Sequence, residues 1–133
     1  MVEFSSQRRV APEDVLRLLR QTAWGAERTE ADVAQALRTA PLHVSAWMDG
    51  RLVGFARALT DGVYRGFVED VVVDESVRAQ GIGRGLLREL LDQLADVELV
   101  ALDCGDELVP FYASLGFVRS GNTRMETMPG PNR

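Results

Sequence analysis

Residues 71–87 of the chain read VVVDESVRAQGIGRGLL, and this stretch decides the fold. Three consecutive β-branched residues predict a strand that is buried on both faces. A short polar segment follows, then glycines at every second position and a leucine-rich run with helical spacing. A glycine turn between a strand and a helix is suited to bind an anion, because a phosphate can approach the backbone N–H groups at the helix N-terminus. Arg78, Arg84 and Arg88 surround the turn, and their charge opposes the chain's net charge of −5.

The composition limits the class of protein. With 133 residues, 46% of them hydrophobic and 26% charged, the chain is predicted to be one globular domain over residues 1–133, with a flexible tail at residues 129–133. The acidic balance argues against a nucleic-acid partner, and no apolar run approaches the roughly 18 residues that a membrane span needs. A single cysteine and no signal-peptide pattern predict a cytoplasmic protein, and the sequence contains no metal-ligand pattern.

Two helices are predicted before the main sheet. Pro12 stands in the first turn of one helix, which is expected to end near Gly25. Thr29 is predicted to be the N-cap of the second helix, and Pro41 is expected to end it. A short edge strand within residues 2–10 precedes both helices.

The middle of the chain is predicted to form an antiparallel meander. Asp49-Gly50 and Asp61-Gly62 are two-residue hairpin signals. They separate three predicted strands, at residues 42–48, 51–60 and 63–73. A helix after Gly83 leads to a strand that should lie parallel to the third strand by the right-handed crossover rule. The remaining predicted elements are this parallel strand at residues 98–102, a helix at residues 106–115, a strand from Phe117 and a terminal strand at residues 125–128. The fold class is therefore α/β, with a mixed α+β sheet.

The glycine motif fits one kind of phosphate loop better than the others. Leu86 stands where a dinucleotide-binding G-x-G-x-x-G needs its third glycine, and a P-loop needs a lysine, which this chain lacks. The alternative to a phosphate loop is a glycine turn that binds no ligand and only starts an amphipathic helix. The pattern that fits is Arg78-Ala79-Gln80-Gly81-Ile82-Gly83, which resembles the R-x-x-G-x-G pyrophosphate loop of the GNAT superfamily of N-acetyltransferases.

A second motif supports the same resemblance. Residues 111–117, FYASLGF, resemble the F-Y-x-x-x-G-F signature near the end of GNAT domains, and they follow the glycine loop by one helix and one strand. The order of elements is similar to the GNAT fold from about Val10 onward, although Leu108 stands where many members have a cofactor-contacting asparagine. Different segments resemble the glucosamine-6-phosphate N-acetyltransferases and the plastid and cyanobacterial arylamine N-acetyltransferases, so the amine stays open.

The resemblance implies that acetyl-CoA, as co-substrate, lies between two splayed parallel strands, with no metal. The backbone of Val71 and Val73 would pair with the pantetheine amides, and the N–H groups of residues 80–85 would hold the pyrophosphate. The implied cofactor-binding residues are Val71, Val72, Val73, Arg78, Ala79, Gln80, Gly81, Ile82, Gly83, Arg84, Phe111 and Tyr112.

Three residues carry the implied chemistry. Tyr112 matches the tyrosine that is usually taken as the proton donor to the CoA sulfur. Glu69 and Asp70 match a pair that lies at the reacting amine. Because they are adjacent in a strand, they are expected to point to opposite faces, so that at most one faces the substrate directly. Asp70 is preferred, since both subfamily likenesses include it.

The implied function is direct acetyl transfer from acetyl-CoA to the primary amine of a small molecule, of amino-sugar or arylalkylamine type. The alternatives are acetylation of a protein N-terminus or lysine, and a non-catalytic acyl-CoA-binding regulatory module. A homodimer is expected from the resemblance alone.

Overall fold

The computed structural model describes residues 1–40 and 42–130, which form two compact units. The first comprises residues 1–103, and the second begins at Cys104. The first unit contains β1 (Glu3–Ser5), α1 (Pro12–Leu19), α2 (Glu30–Thr39), β2 (His43–Met48), β3 (Arg51–Thr60), β4 (Arg65–Val73), a 3₁₀ turn (Glu75–Val77), α3 (Ile82–Gln93) and β5 (Leu99–Ala101). The second unit contains a 3₁₀ turn (Asp106–Leu108) and α4 (Val109–Ala113).

The sheet is mixed, as the sequence predicted. Its strands lie in the order β1-β2-β3-β4-β5, with antiparallel pairs from β1 to β4 and a parallel pair between β4 and β5. The predicted α/β class and the parallel crossover are therefore confirmed. Pro41 and residues 131–133 of the predicted tail lie outside the described residues.

Local side-chain bonds explain where the first two helices begin and end. Thr29 caps α2 as predicted, because its hydroxyl accepts a hydrogen bond from the Asp32 N–H at 3.2 Å. The first helix ends at Leu19, earlier than predicted. The Thr22 hydroxyl donates to the Leu19 carbonyl at 2.7 Å and accepts from the Gly25 N–H at 2.9 Å. These two bonds close a turn after α1, and they give the Leu19 carbonyl at the end of the helix a hydrogen-bond partner.

The two hairpin signals give different connections. Asp49 and Gly50 both have positive φ, 51° and 77°, so they form the predicted two-residue turn. The second connection is longer than predicted, because the Asp61 carboxylate accepts hydrogen bonds from the N–H groups of Val63, Tyr64 and Arg65. These bonds form a four-residue loop and lower the pKa of Asp61 below its usual value. The strand β4 therefore begins only at Arg65.

Helices pack on both faces of the sheet. On one face, α1 and α2 bury an apolar cluster with the strands: Val10, Val15, Leu16, Leu18, Leu19, Val33, Trp47, Leu52, Phe55 and Val72. On the other face, α3 lies so close that a Cβ on Gly54 would be 3.0 Å from Leu86 and one on Gly85 would overlap the Phe4 ring. Burial of β4 alternates along the strand, with Val72 buried and Val71 and Val73 half-buried. The expectation of a strand buried on both faces is therefore wrong for these two valines.

The two predicted terminal strands are wrong. Among residues 114–130, the described chain has no strand. The side chains of Val118, Met125 and Met128 are each more than four-fifths exposed. A strand needs a hydrogen-bonded neighbour and a face to bury, and hydrophobic residues alone do not supply either. The helix before them ends as predicted near Gly116, which has a φ of 98°.

Candidate active site

The strand β4 has a free edge along most of its length. It pairs with β5 only through Arg65, Gly66 and Phe67. Beyond them, residues 68–73 have no strand partner on the β5 side within the described chain. Backbone N–H and C=O groups at such an edge can pair with an extended ligand that carries amides, as an added strand would. This geometry fits the predicted role of the Val71 and Val73 backbone.

A β-bulge interrupts β4 at the predicted carboxylate pair. Phe55 pairs with Val72 and Arg57 pairs with Glu69, so two residues of β4, Asp70 and Val71, oppose one residue of β3. Asp70 adopts a left-handed conformation with a φ of 57°. The bulge breaks the alternation of side chains: Glu69 shares a face with its partner Arg57, and Asp70 contacts Arg57 as well. The expected placement on opposite faces does not hold.

Asp70 is a buried carboxylate held by two arginines. Its Oδ2 accepts from Arg57 Nε at 2.6 Å, and its Oδ1 accepts from Arg28 Nη1 at 2.7 Å. Only 4% of the Asp70 side chain is exposed, so these two charge-assisted bonds offset the cost of burying its charge. The Glu69 side chain is half-buried and has no hydrogen-bond partner among the described residues. The two carboxylates therefore differ in how available they are to a ligand.

The arginine pair lines a cavity of about 270 Å³ between the first two helices and the central strands. Its apolar lining comes from Val15, Leu19, Val33, Ala36, Leu37 and Phe55, and its charged lining from Arg28, Asp32, Arg57 and Asp70. Sequence reasoning missed both arginines. Arg57 could have been found, because it is a charged residue among the apolar residues of β3, whereas Arg28 stands in a loop with no distinguishing pattern.

The glycine loop leads into α3 as predicted. Ala79 and Gly81 both have left-handed backbones, with φ of 65° and 79°. Gly81 is the N-cap and offers no side-chain cap, so the first N–H groups of α3 point out of the helix toward any bound anion. A Cβ on Gly81 would meet nothing within 4 Å, so the approach is open. The Gly85 N–H donates to the Gly81 carbonyl at 3.1 Å inside the helix, so the predicted phosphate contact of Gly85 is wrong.

The other predicted residues of the loop differ in accessibility. Arg78 and Gln80 are exposed, and Arg78 Nε donates to the Val73 carbonyl at 3.2 Å. Ile82 is buried, and its side chain lies beside Gly54 on β3, so only its backbone can face a ligand. Gly83 and Arg84 lie in the first turn of α3 and are partly exposed.

Asp74 anchors the segment between β4 and the glycine loop. It is buried, accepts hydrogen bonds from the Ser76 N–H and hydroxyl at 3.0 and 2.9 Å, and pairs with Arg17 at 2.9 Å and Arg51 at 3.4 Å. Burial alone would raise the pKa of Asp74. The bonds from Ser76 and Arg17 and the charge of Arg51 outweigh burial and hold the pKa below its usual 3.8. The network ties α1 and β3 to the start of the loop.

We expect Asp74→Asn to lower the free energy of unfolding by about 2 kcal/mol at neutral pH. A carboxyl whose pKa folding lowers stabilises the protein above its unfolded pKa, and that contribution is lost as the pH falls through the folded pKa. The difference from wild type should therefore shrink below about pH 4, as urea unfolding at several pH values would measure. Glu75→Gln, at an exposed neighbour, is the matched control. A pH-independent difference would contradict the expectation.

Tyr112 is the buried centre of the second unit. The rings of Phe111 and Phe117 meet it edge-on, with centroids 5.0 and 5.9 Å away. Burial raises the pKa of the Tyr112 hydroxyl, and the charge of an ionised Cys104 raises it further. The hydroxyl therefore stays protonated at neutral pH and can act as a proton donor.

Comparison with known proteins identifies the family. Residues 11–117 match the model of the Acetyltransferase (GNAT) family. A GNAT-family acetyltransferase structure from Streptococcus pneumoniae is 30% identical, with a TM-score of 0.84 and coverage of 97% of this chain and 98% of that one. The chain therefore belongs to the GNAT acetyltransferase family.

Curated relatives are similar over part of the chain only. "Uncharacterized N-acetyltransferase ycf52" of Porphyra purpurea is 34% identical over 71 residues, covering 52% of this chain and 41% of its own length. "Serotonin N-acetyltransferase 2, chloroplastic" of Oryza sativa subsp. japonica is 43% identical over 70 residues, covering 51% and 35%. The matched segment spans less than half the length of these relatives.

Residues 1–40 and 42–130 lack two further features. No helix in this part of the chain is long and apolar enough to cross a membrane. These residues also contain no group of three or more histidine, cysteine, aspartate or glutamate side chains that could hold a metal ion.

Proposed function

We propose that the protein is an acetyl-CoA-dependent N-acetyltransferase that acts on the primary amine of a small molecule. One observation carries the proposal: the free edge of β4 runs directly into a glycine loop and an uncapped helix start. The edge is suited to amides and the helix start to phosphates, and acetyl-CoA carries both groups in one extended molecule. The residues that would hold it are those of β4 from Val71 to Val73 and the loop from Arg78 to Arg84.

The chemistry requires a neutral amine and a proton for the leaving thiolate. The amine nitrogen bonds to the thioester carbonyl carbon, the carbon–sulfur bond breaks, and the amine loses one proton. We assign proton acceptance to Glu69, because both Asp70 oxygens already accept bonds from arginines. Tyr112 is proposed to protonate the departing sulfur. No covalent enzyme intermediate is needed.

A small amine fits the cavity between α1, α2 and the strands better than a protein substrate. The cavity of about 270 Å³ is mostly apolar, and it is lined within one unit of the chain. Among the two small-molecule types, an arylalkylamine has an apolar body that suits this lining, whereas an amino sugar has hydroxyls that need more polar partners. Cytoplasmic location and a homodimer stay predictions.

The glycine loop offers a matched pair of variants. Gly81 and Gly62 share a φ of 79°, and a Cβ on either would meet nothing within 4 Å. Both alanine variants should therefore lose a similar amount of stability, about 1 kcal/mol, from backbone strain. Only Gly81→Ala should weaken acetyl-CoA binding, by about tenfold, because Gly62 precedes β4 and Gly81 follows it. Calorimetric titration of both variants measures this, and equal affinities would remove the loop from the acetyl-CoA site.

The proposed function is tested with acetyl-CoA, a panel of amines and detection of released CoA thiol. The panel should contain phenylethylamine, serotonin, glucosamine 6-phosphate and a lysine peptide. Thiol release with an arylalkylamine, and formation of its acetamide, is the expected result. Acetyl-CoA that raises the melting temperature without any thiol release would favour the non-catalytic alternative. Release with the lysine peptide alone would favour a protein acetyltransferase.

A further inference from the structure

The two cavity arginines have more donors than the structure uses. Arg57 bonds to Asp70 through Nε alone, and Arg28 bonds to it through Nη1 alone. The terminal nitrogens of Arg57 have no acceptor among the described residues. Within the described part of the chain, none of these arginine nitrogens is both buried and without a hydrogen-bond partner. The unused donors of Arg57 therefore reach accessible space, and Arg57 lines the cavity.

The charges around these donors favour an anion. Two guanidinium groups share one buried carboxylate, so the group of Arg28, Arg57 and Asp70 carries a net charge of +1. The other acid of the lining, Asp32, is exposed in the first turn of α2, where solvent screens its charge. Asp70 also fixes the orientation of both guanidinium groups. A pre-oriented guanidinium with free terminal donors is suited to bind a carboxylate through two parallel hydrogen bonds.

The rest of the cavity lining indicates how polar the body of the ligand is. Six of the ten lining residues are apolar, and Phe55 contributes a fully buried aromatic ring. A polar body such as a sugar would leave its hydroxyls without partners there. A plain arylalkylamine would fit the apolar walls but would leave the Arg57 donors unused. The combination therefore matches a molecule with an apolar side chain and a carboxylate.

We infer that the acceptor amine belongs to an apolar amino acid, whose carboxylate binds the terminal nitrogens of Arg57 while its side chain occupies the apolar part of the cavity. This inference rests on the proposed function and names its substrate class. Arg28 and Asp70 act as positioning residues for Arg57. Positive charge near the amine also favours its neutral form, which is the form that attacks a thioester.

The test compares ligands that differ only in the carboxylate. N-acetylphenylalanine and N-acetylphenylethylamine, the products from phenylalanine and phenylethylamine, are titrated into the wild-type protein by calorimetry. We expect N-acetylphenylalanine to bind at least about tenfold more tightly. Equal affinity, or preference for the uncharged product, would overturn the inference. Because binding of products needs no turnover, this result is independent of the assay that tests the proposed function.

Variants assign the preference to Arg57. Arg57→Gln should bring the affinity ratio close to one, whereas Arg38→Gln should leave it unchanged, because Arg38 is exposed and bonds to Gln35 on its own helix. If Arg57→Gln does not fold, Arg57→Lys keeps the charge but lacks the planar pair of donors, and it should lower the ratio. A ratio that survives either folded variant would contradict the role of Arg57. Turnover of both amines without a preference would leave the proposed function standing and refute the amino-acid substrate.

Discussion

Replacing Tyr112 by phenylalanine is expected to lower kcat by about a hundredfold to a thousandfold, with little change in the Kd for acetyl-CoA. The variant loses only the hydroxyl and keeps the ring that packs between Phe111 and Phe117. Without that hydroxyl, the thiolate must leave without its proton or take it from water. Steady-state turnover together with calorimetric titration of acetyl-CoA separates a loss of chemistry from a loss of binding.

The chain supplies its own control for this prediction. Tyr64, its other tyrosine, is 61% exposed in the loop before β4. Tyr64→Phe makes the same chemical change and should leave kcat unchanged. The raised pKa of Tyr112 provides a second measurement. Its hydroxyl stays protonated until the pH exceeds 10.0, which is the usual pKa of tyrosine. Ionisation of Tyr112 should therefore not lower the wild-type rate at any pH below 10.0. A fall in the rate near neutral pH would contradict the assignment of Tyr112 as the proton donor.

The sequence predicted the parts of the fold that depend on local patterns. The Asp49-Gly50 turn, the Thr29 cap and the glycine start of α3 are each determined by the conformations available to a few adjacent residues. The terminal strands failed for the opposite reason. Their formation depends on a neighbouring strand, and the hydrophobic residues near Val118 and Met125 carry no information about whether one is present.

The candidate site was predictable along the strand and the loop, but less so across the sheet. The residues of the glycine loop follow from one motif. The resemblance that this motif carries also implied the free edge of β4. The bulge at Asp70 depends on the register between β3 and β4, which is one residue out of step between Phe55 and Arg57. A prediction that assumes strict alternation of side chains along β4 cannot reveal that shift. The arginines that hold Asp70 come from a different strand and from a loop 42 residues earlier, so their pairing is a tertiary property.

The same contacts separate the roles of the two adjacent carboxylates. We expect Glu69→Gln to lower kcat/KM by about a hundredfold at neutral pH, because the variant cannot accept a proton from the amine. The deficit should shrink as the pH rises toward the pKa of the amine, since a growing fraction of substrate is already neutral. A pH profile of kcat/KM for Glu69→Gln and wild type measures this change.

Asp70→Asn is the matched variant, because it makes the same change from carboxylate to amide one residue later. Asparagine tolerates the left-handed backbone at this position, so the substitution removes the charge without adding strain. Arg28 and Arg57 would then lose their shared counterion, and we expect the free energy of unfolding to fall by about 3 kcal/mol. The pH dependence of kcat/KM should keep its wild-type shape, since both Asp70 oxygens serve the arginines. A pH profile altered by Asp70→Asn and not by Glu69→Gln would reverse the two assignments and make Asp70 the group that deprotonates the amine.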